Sequence, residues 1–258
     1  MVENATIPLQ RFRDQVVIVT GALGGIGLAT AKRFAQEGAR LVLADLTDAL
    51  PADRVSSAIA DCKNLGSPET IACACDVSNE QQVDAAVDLA LERFGRVDVI
   101  VNIAGLMMFK SLEDFTAQDW SRLLGVNLMG AVYFTRRALR VMQPGSAIVN
   151  VSSIHALQTT ILTAPYAAAK AALLSLTRST AIEGKPKGVR ANAVLPGAVD
   201  TPMLWSNPNV SSDVERNARE TVGEPSDIAA VIAFLASRDA AFITGSAVTV
   251  DGGRMAAL

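Results

Sequence analysis

Tyr166 and Lys170 stand four residues apart in the segment YAAAK, thirteen residues beyond Ser153. On a helix, an i, i+4 pair shares one face, so the phenol and the ammonium become neighbours. A phenol titrates near pH 10, and making it a base near neutrality means lowering its pKa by about three, roughly 4 kcal/mol. A nearby ammonium supplies much of that. The pair therefore suits proton transfer, although spacing alone also allows a surface tyrosine beside a solvated lysine. The chain has only two tyrosines.

A second constellation lies near the amino terminus. Thr20-Gly21-Ala22-Leu23-Gly24-Gly25-Ile26-Gly27 follows an apolar run and precedes a helical pattern. Glycines at Gly21, Gly25 and Gly27 let a backbone approach a pyrophosphate, and a helix dipole behind them favours its charge. A nucleotide is implied. The spacing departs from the common G-x-G-x-x-G, and the Lys-Ser/Thr of an ATP-binding Walker loop is absent. About 20 residues on stands Asp45, where a carboxylate can accept both adenosine-ribose hydroxyls of NAD and repel the 2′-phosphate of NADP. Neither the glycine turn, including Leu23, nor Leu46 just after Asp45 brings the Arg or Lys that NADP would want. The alternative for Asp45 is a helix N-cap.

These groups need strand ends to hold them. Short Val/Ile-rich runs occur at Val16 to Thr20, Arg40 to Asp45, Thr70 to Cys75, Val97 to Asn102, Ala147 to Ser152, Arg190 to Leu195 and Ala247 to Asp251. Helical patterns lie between them, near 25 to 38, 50 to 66, 79 to 95, 116 to 142, 164 to 183 and 225 to 237. This alternation predicts an α/β fold, a doubly wound, parallel, seven-stranded sheet with helices on both faces. Ligands of such sheets sit beyond the carboxyl ends of the strands. Asp76 follows the third run, where it serves either a ligand or a helix-capping turn. Asn102-Ile103-Ala104-Gly105 follows the fourth, where small residues let backbone lie along a cofactor.

The division expected is an N-terminal extension over 1–14 and one domain over 15–258. Within it, Pro196 to Gly223 interrupts the alternation, and a substrate lid is expected at about 198–222.

Composition narrows the function. The chain of 258 residues is half apolar and carries 23 basic against 26 acidic side chains, a net charge of −3. It has no basic run that would mark a nucleic-acid or anionic-membrane partner. No apolar stretch reaches the roughly 18 residues of a membrane span, and a cytoplasmic location is expected. Cys62, Cys73 and Cys75 lack paired spacing and read as small apolar fillers. His155 is the only histidine, so no metal site is expected.

Taken together, TGALGGIG (20–27), Asp45, Asp76-Val77, NIAG (102–105), Asn127, Ser153, YAAAK (166–170), PGAVDTPM (196–203) and ITGSAVTVDGG (243–253) resemble the short-chain dehydrogenase/reductases of the single-domain, Tyr-x-x-x-Lys type. One departure is Ile103, where the family usually has a second Asn contributing a polar contact at the sheet edge. The resemblance implies a Rossmann-fold oxidoreductase that moves a hydride between NAD(H) and a secondary alcohol or its ketone. Sugars, polyols and cyclic alcohols are its expected substrates. It assigns Tyr166 as acid/base, Lys170 as its activator and holder of the nicotinamide ribose, Ser153 as the group orienting the substrate oxygen, and Asn127 as holder of a relay water.

Cofactor contacts are implied for Ile26, Asp76, Val77, Asn102, Ala104, Gly105, Pro196, Gly197, Val199 and Thr201. Substrate choice would fall to the segments after Ser153 and Gly105 and to the lid, with His155 and Trp205 as candidates. The His155 ring either meets a substrate oxygen or faces solvent or backbone. A homotetramer is implied, built partly on the helices near 116 to 142 and 164 to 183 and the last strand. Two alternatives are carried: a 3-oxoacyl thioester (acyl carrier protein) reductase, and a non-catalytic NAD-binding sensor.

Overall fold

Strand-forming residues alternate between two cores, and that alternation explains the layering. In the computed structural model, which describes residues 10–47, 51–212 and 222–257, the strands are β1 (Val16–Thr20), β2 (Arg40–Asp45), β3 (Thr70–Ala74), β4 (Val99–Asn102), β5 (Ala147–Val151), β6 (Arg190–Pro196) and β7 (Ala247–Val250). They form one parallel sheet in the order β3-β2-β1-β4-β5-β6-β7. The expected seven-stranded, doubly wound architecture is observed.

Val17, Val19, Leu41, Leu43, Val99, Val101 and Val149 face one way. They pack on α1 (Gly25–Gln36), α2 (Ala52–Asn64) and α9 (Pro225–Ala236) through Phe34, Cys62 and Ile232. Val16, Ile18, Val42, Ile100, Ile148 and Ala191 face the other. They meet α3 (Glu80–Phe94) and α5 (Gly130–Val141) through Val83, Val87 and Phe134. Period-2 alternation in a sheet covered on both faces produces two apolar layers. The order reverses between β1 and β4, and a crevice opens there at the carboxyl ends.

Three expectations need correcting. The fourth strand starts at Val99 rather than Val97, because the Asp98 carboxylate takes the Val16 amide at 2.8 Å and the ladder begins one residue later. The helix expected over 116 to 142 is divided. It runs as α4 (Ala117–Leu124), a π-helical turn over Gly125–Met129 and then α5, and the wider turn re-aims Asn127. The lid region holds two short helices unmarked by periodicity, α7 (Pro202–Trp205) and α8 (Pro208–Ser211), each opened by a proline. The rest of the expected lid, 213–221, lies outside the described residues, as do 1–9 of the expected extension.

Residues 10–14 are bound to the domain. Arg11 pairs with buried Glu37 at 2.6 Å, and fully buried Phe12 meets Phe34 edge-on with ring centroids 4.6 Å apart. Burial pushes the thiols of Cys62 and Cys73 up to about 11 and that of Cys75 to about 12, as expected of fillers. Phe12→Ala is expected to lower stability to urea by about 3–5 kcal/mol. A loss under about 1 kcal/mol, typical of surface substitutions, would place this segment outside the folding unit.

Candidate active site

The glycine turn is built by close approach. At Gly27 a Cβ would lie 1.9 Å from the Gly21 carbonyl oxygen, so any side chain would push α1 off the end of β1. Gly21 has φ +60°, and a Cβ there would come within 2.9 Å of the Ala104 Cα. Helix α1 thereby opens directly over the crevice, its first-turn amides without intrahelical acceptors. Asp45 braces the turn: Oδ2 accepts from the Leu23 amide at 2.7 Å and Oδ1 from the Leu46 amide at 2.8 Å. It is not an N-cap, since α2 begins at Ala52 after Pro51. Leu46 is half exposed and stands off the cavity wall.

The turn after β4 is fixed by Thr20, whose Oγ1 accepts from the Ile103 and Ala104 amides at 2.9 and 3.0 Å. Ile103 packs against the core and lines the cavity, so a side-chain amide is not needed to hold this turn. Asn102 donates to Asn150 at 2.8 Å, and Asn150 donates to Thr177 at 2.9 Å, joining β4, β5 and α6 (Ala164–Gly184). Asn127 Nδ2 donates to the carbonyls of Leu106 and Leu123, and Oδ1 accepts from the Leu106 amide. It therefore positions the chain beyond Gly105. Asn127, Asn102 and Val77 line a small separate cavity of about 10 Å³ that Lys170 also reaches. The Asp76 carboxylate binds the amide and hydroxyl of Ser78, in the manner of a capping turn.

The proton-transfer set lies between β5 and α6. Ser152 Oγ donates to the Lys170 carbonyl at 2.8 Å, and Lys170 Nζ donates to the Val151 carbonyl at 2.9 Å. Lys170 Nζ is 5.5 Å from the centre of the Tyr166 ring, and Ser153, whose Oγ accepts from the His155 amide at 3.2 Å, lines the same cavity as both. Tyr166 and Lys170 are both buried. Burial pushes Tyr166 up to about 12 against the opposing Ser153 bond, and pulls Lys170 down to about 8. Desolvation disfavours the charged form of each group, so a nearby positive charge at this spot favours the phenolate.

One cavity of about 580 Å³ joins these parts. It is lined by Gly21, Leu23, Gly25, Ile26, Gly27, Asp45, Ala104 and Gly105 and by Ser153, His155, Tyr166, Lys170, Pro196, Gly197, Val199 and Thr201. The His155 ring stands edge-on to Tyr166 at 5.9 Å, with Nδ1 3.2 Å from Thr159 Oγ1. A Cβ on Gly25 would meet Thr201 Cγ2 at 2.6 Å, so the lid starts in contact with the glycine turn. The Trp205 indole donates to Asp200 at 2.6 Å and lies off the cavity wall, where Met203, Leu204 and Asn207 stand instead. Arg54 also lines the cavity, though nothing in its local pattern marks it.

Lys170 generates a stability prediction. Its folded pKa lies below its ordinary 10.5, so the unfolded chain binds that proton more tightly. The cost of burying the ammonium is full below pH 8 and fades as pH rises from 8 to 10.5. The melting-temperature gain of Lys170→Met over the parent is expected to be largest at neutral pH and to shrink across that window. A difference that does not vary with pH would contradict a buried ammonium.

The family model described as "Enoyl-(Acyl carrier protein) reductase" matches residues 21–254. Levodione reductase of Leifsonia aquatica is 36% identical, covering 97% of each chain. Meso-2,3-butanediol dehydrogenase of Serratia marcescens is 38% identical, covering 95% of this chain and 96% of its own. A Burkholderia cenocepacia short chain dehydrogenase, solved in complex with NADP, superimposes with a TM-score of 0.86 at 33% identity, covering 94% of this chain and 98% of its own. With the Rossmann sheet, the glycine turn and the Ser153, Tyr166 and Lys170 set in one cavity, these likenesses show that the chain belongs to the short-chain dehydrogenase/reductase family.

Proposed function

We propose that the protein is an NAD(H)-dependent dehydrogenase of secondary alcohols, with Tyr166 as its acid/base. The observation carrying this reading is one cavity lined by the glycine turn and Asp45 together with Ser153, Tyr166 and Lys170. Two of the similar proteins are named for a dione and for a secondary diol, which supports an alcohol or ketone substrate here. The glycine turn, closed tightly by backbone approach at Gly21 and Gly27 at the start of α1, fits the pyrophosphate of a dinucleotide. When bound, a nicotinamide dinucleotide supplies the hydride acceptor in oxidation and the hydride donor in reduction.

In oxidation the phenolate of Tyr166 takes the hydroxyl proton as the carbon–hydrogen bond breaks; in reduction the phenol returns it to the new alkoxide. Ser153 holds the reacting oxygen, and the Lys170 ammonium, together with the charge of the oxidised coenzyme, favours the phenolate that burial resists. Lys170 also holds the nicotinamide ribose. Thr201 and the backbone at Val199 hold the carboxamide end. His155 is assigned to a further substrate oxygen. The scheme has no step for a metal.

Asp45 supports NAD as the preferred coenzyme, since a carboxylate beside the ribose disfavours a 2′-phosphate. The reading carries a cytoplasmic location, and no helix among the described residues is long and apolar enough to cross a membrane. It also carries a homotetramer, which full exposure of Phe242 and high exposure of Ile182 support. The matched family description names an enoyl thioester, which favours thioester-bound acyl chains as the substrate class of a second reading, the 3-oxoacyl reductase among them. Initial rates on acetoacetyl thioesters and on cyclic or vicinal alcohols separate the two.

Tyr166→Phe is expected to leave NADH binding within about threefold and to lower turnover at least about a hundredfold. Unchanged turnover would remove Tyr166 from its role. Asp45→Ala is expected to erode the ratio of kcat/KM for NAD over NADP, and a constant ratio would leave Asp45 a purely structural brace.

A further inference from the structure

The segment after β6 is anchored twice. At its neck the Gly223 amide donates to the Ala198 carbonyl at 3.0 Å, and the Asp200 amide donates to the Gly223 carbonyl at 2.9 Å. The second anchor is Asn209 in α8, only 1% exposed although polar and on a helix of one turn. Its Nδ2 commits both protons to another segment, donating to the Ile161 carbonyl at 2.9 Å and to Thr160 Oγ1 at 3.2 Å. Its backbone amide donates to Asn207 Oδ1 at 3.0 Å. Met203, Leu204 and Asn207 of the cavity wall lie between the two anchors.

The turn that Asn209 grips is itself a junction. The Leu162 carbonyl accepts at 3.3 Å from the Lys110 amide, in the segment beyond Gly105. Leu162 has φ +67°, a left-handed conformation that a leucine keeps only where its surroundings hold it. Thr163 Oγ1 donates to the Thr160 carbonyl at 3.1 Å and lies 3.0 Å from Thr159 Oγ1, which lies 3.2 Å from His155 Nδ1. Filling these three contacts takes three protons. The two hydroxyls supply one each and the carbonyl none, so a neutral His155 ring carries its proton on Nδ1.

We propose that Asn209 is a positioning residue of the reaction: by fastening the lid to the 159–163 turn it places both the Met203–Asn207 stretch and the His155 ring for the incoming alcohol. The proposal rests on the dehydrogenase reading of the site. Its physical basis is that a buried amide with both donors committed has few alternatives, since displacing the lid would strand Nδ2 and the Ile161 carbonyl together. The glycine turn, Tyr166 and Lys170 stand on other elements, so coenzyme binding and the chemical step are spared.

The test compares the parent with Asn209→Asp, of the same shape but without a donor for Ile161, and with Thr159→Val at an exposed position, which cuts the path to His155. Asn209→Asp is expected to raise KM at least about tenfold for the cyclic or vicinal alcohol that the parent oxidises fastest, with kcat and the NADH dissociation constant each within about threefold. Because His155 is the only histidine, its ring nitrogens can be read by NMR without overlap. At about pH 8.5, above the ordinary imidazole range, the parent is expected to show the proton on Nδ1 and Asn209→Asp a mixture of tautomers. Thr159→Val is expected to give the same mixture with a smaller rise in KM, and the double variant to exceed Asn209→Asp by less than about twofold. An unchanged KM in Asn209→Asp would overturn the proposal, as would an equal loss of NADH affinity, which would make Asn209 a support of the fold alone. Effects that multiply in the double variant, or an unmoved imidazole spectrum, would overturn the link to His155. If Asn209→Asp does not fold, Thr159→Val decides, and an unchanged tautomer and KM there would sink the proposal. A parent that oxidises no alcohol would overturn the dehydrogenase reading instead, and the imidazole spectra would then decide the role of Asn209 alone.

Discussion

Helix α6 is tied to the end of β5 by two hydrogen bonds that run in opposite directions through one residue. Lys170 gives its ammonium proton to the Val151 carbonyl, and its own carbonyl accepts from Ser152 Oγ. Both bonds are buried, where an unmade polar contact costs about 1–3 kcal/mol, so the helix has little freedom to slide or turn. Tyr166 is one helical turn away and inherits that placement, which brings its phenol to the Ser153 hydroxyl just past the strand. Deeper along the same helix, the Asn102–Asn150–Thr177 chain repeats the arrangement across two strands. The candidate chemistry depends on this seam because each of its groups is set by the strand end or by the helix sewn to it.

The same burial that fixes the geometry works against ionisation. The phenol is raised and the ammonium lowered, so burial disfavours the charged form of each group in the isolated site. A site of this kind resists idle proton exchange and responds to a positive charge arriving beside it. On the proposed reading, that charge would be supplied by an oxidised nicotinamide dinucleotide when bound. The proton-accepting state then forms where the hydride acceptor is in place.

Much of this was legible in the sequence, for physical reasons that differ from part to part. Strands buried on both faces write themselves as Val/Ile runs, and all seven appear within two residues of their expected ends. Tyr166 and Lys170 could be paired because four residues on a helix make one face. Arg54 could not be found that way: it reaches across to Leu23 from another element, and sequence separation carries no trace of such a contact. The division of the helix near Asn127 was hidden too, because a π-helical turn inserts no breaking residue. At Asp76 spacing left ligand contact and a capping turn equally open, and the observed bonds to Ser78 describe the turn. Trp205 was a substrate candidate from its place in the lid, and its indole donates to Asp200.

Asp45 spends both carboxylate oxygens on backbone amides, one of them in the glycine turn. Anyone redesigning the protein toward another coenzyme would therefore meet a conflict at this position. Removing the negative charge also removes a brace, and affinity for every dinucleotide would suffer along with the intended discrimination. Engineering would do better to keep the carboxylate, since asparagine would retain one acceptor and turn a donor toward the other backbone amide, and to change charge at neighbouring positions that carry no part of the scaffold.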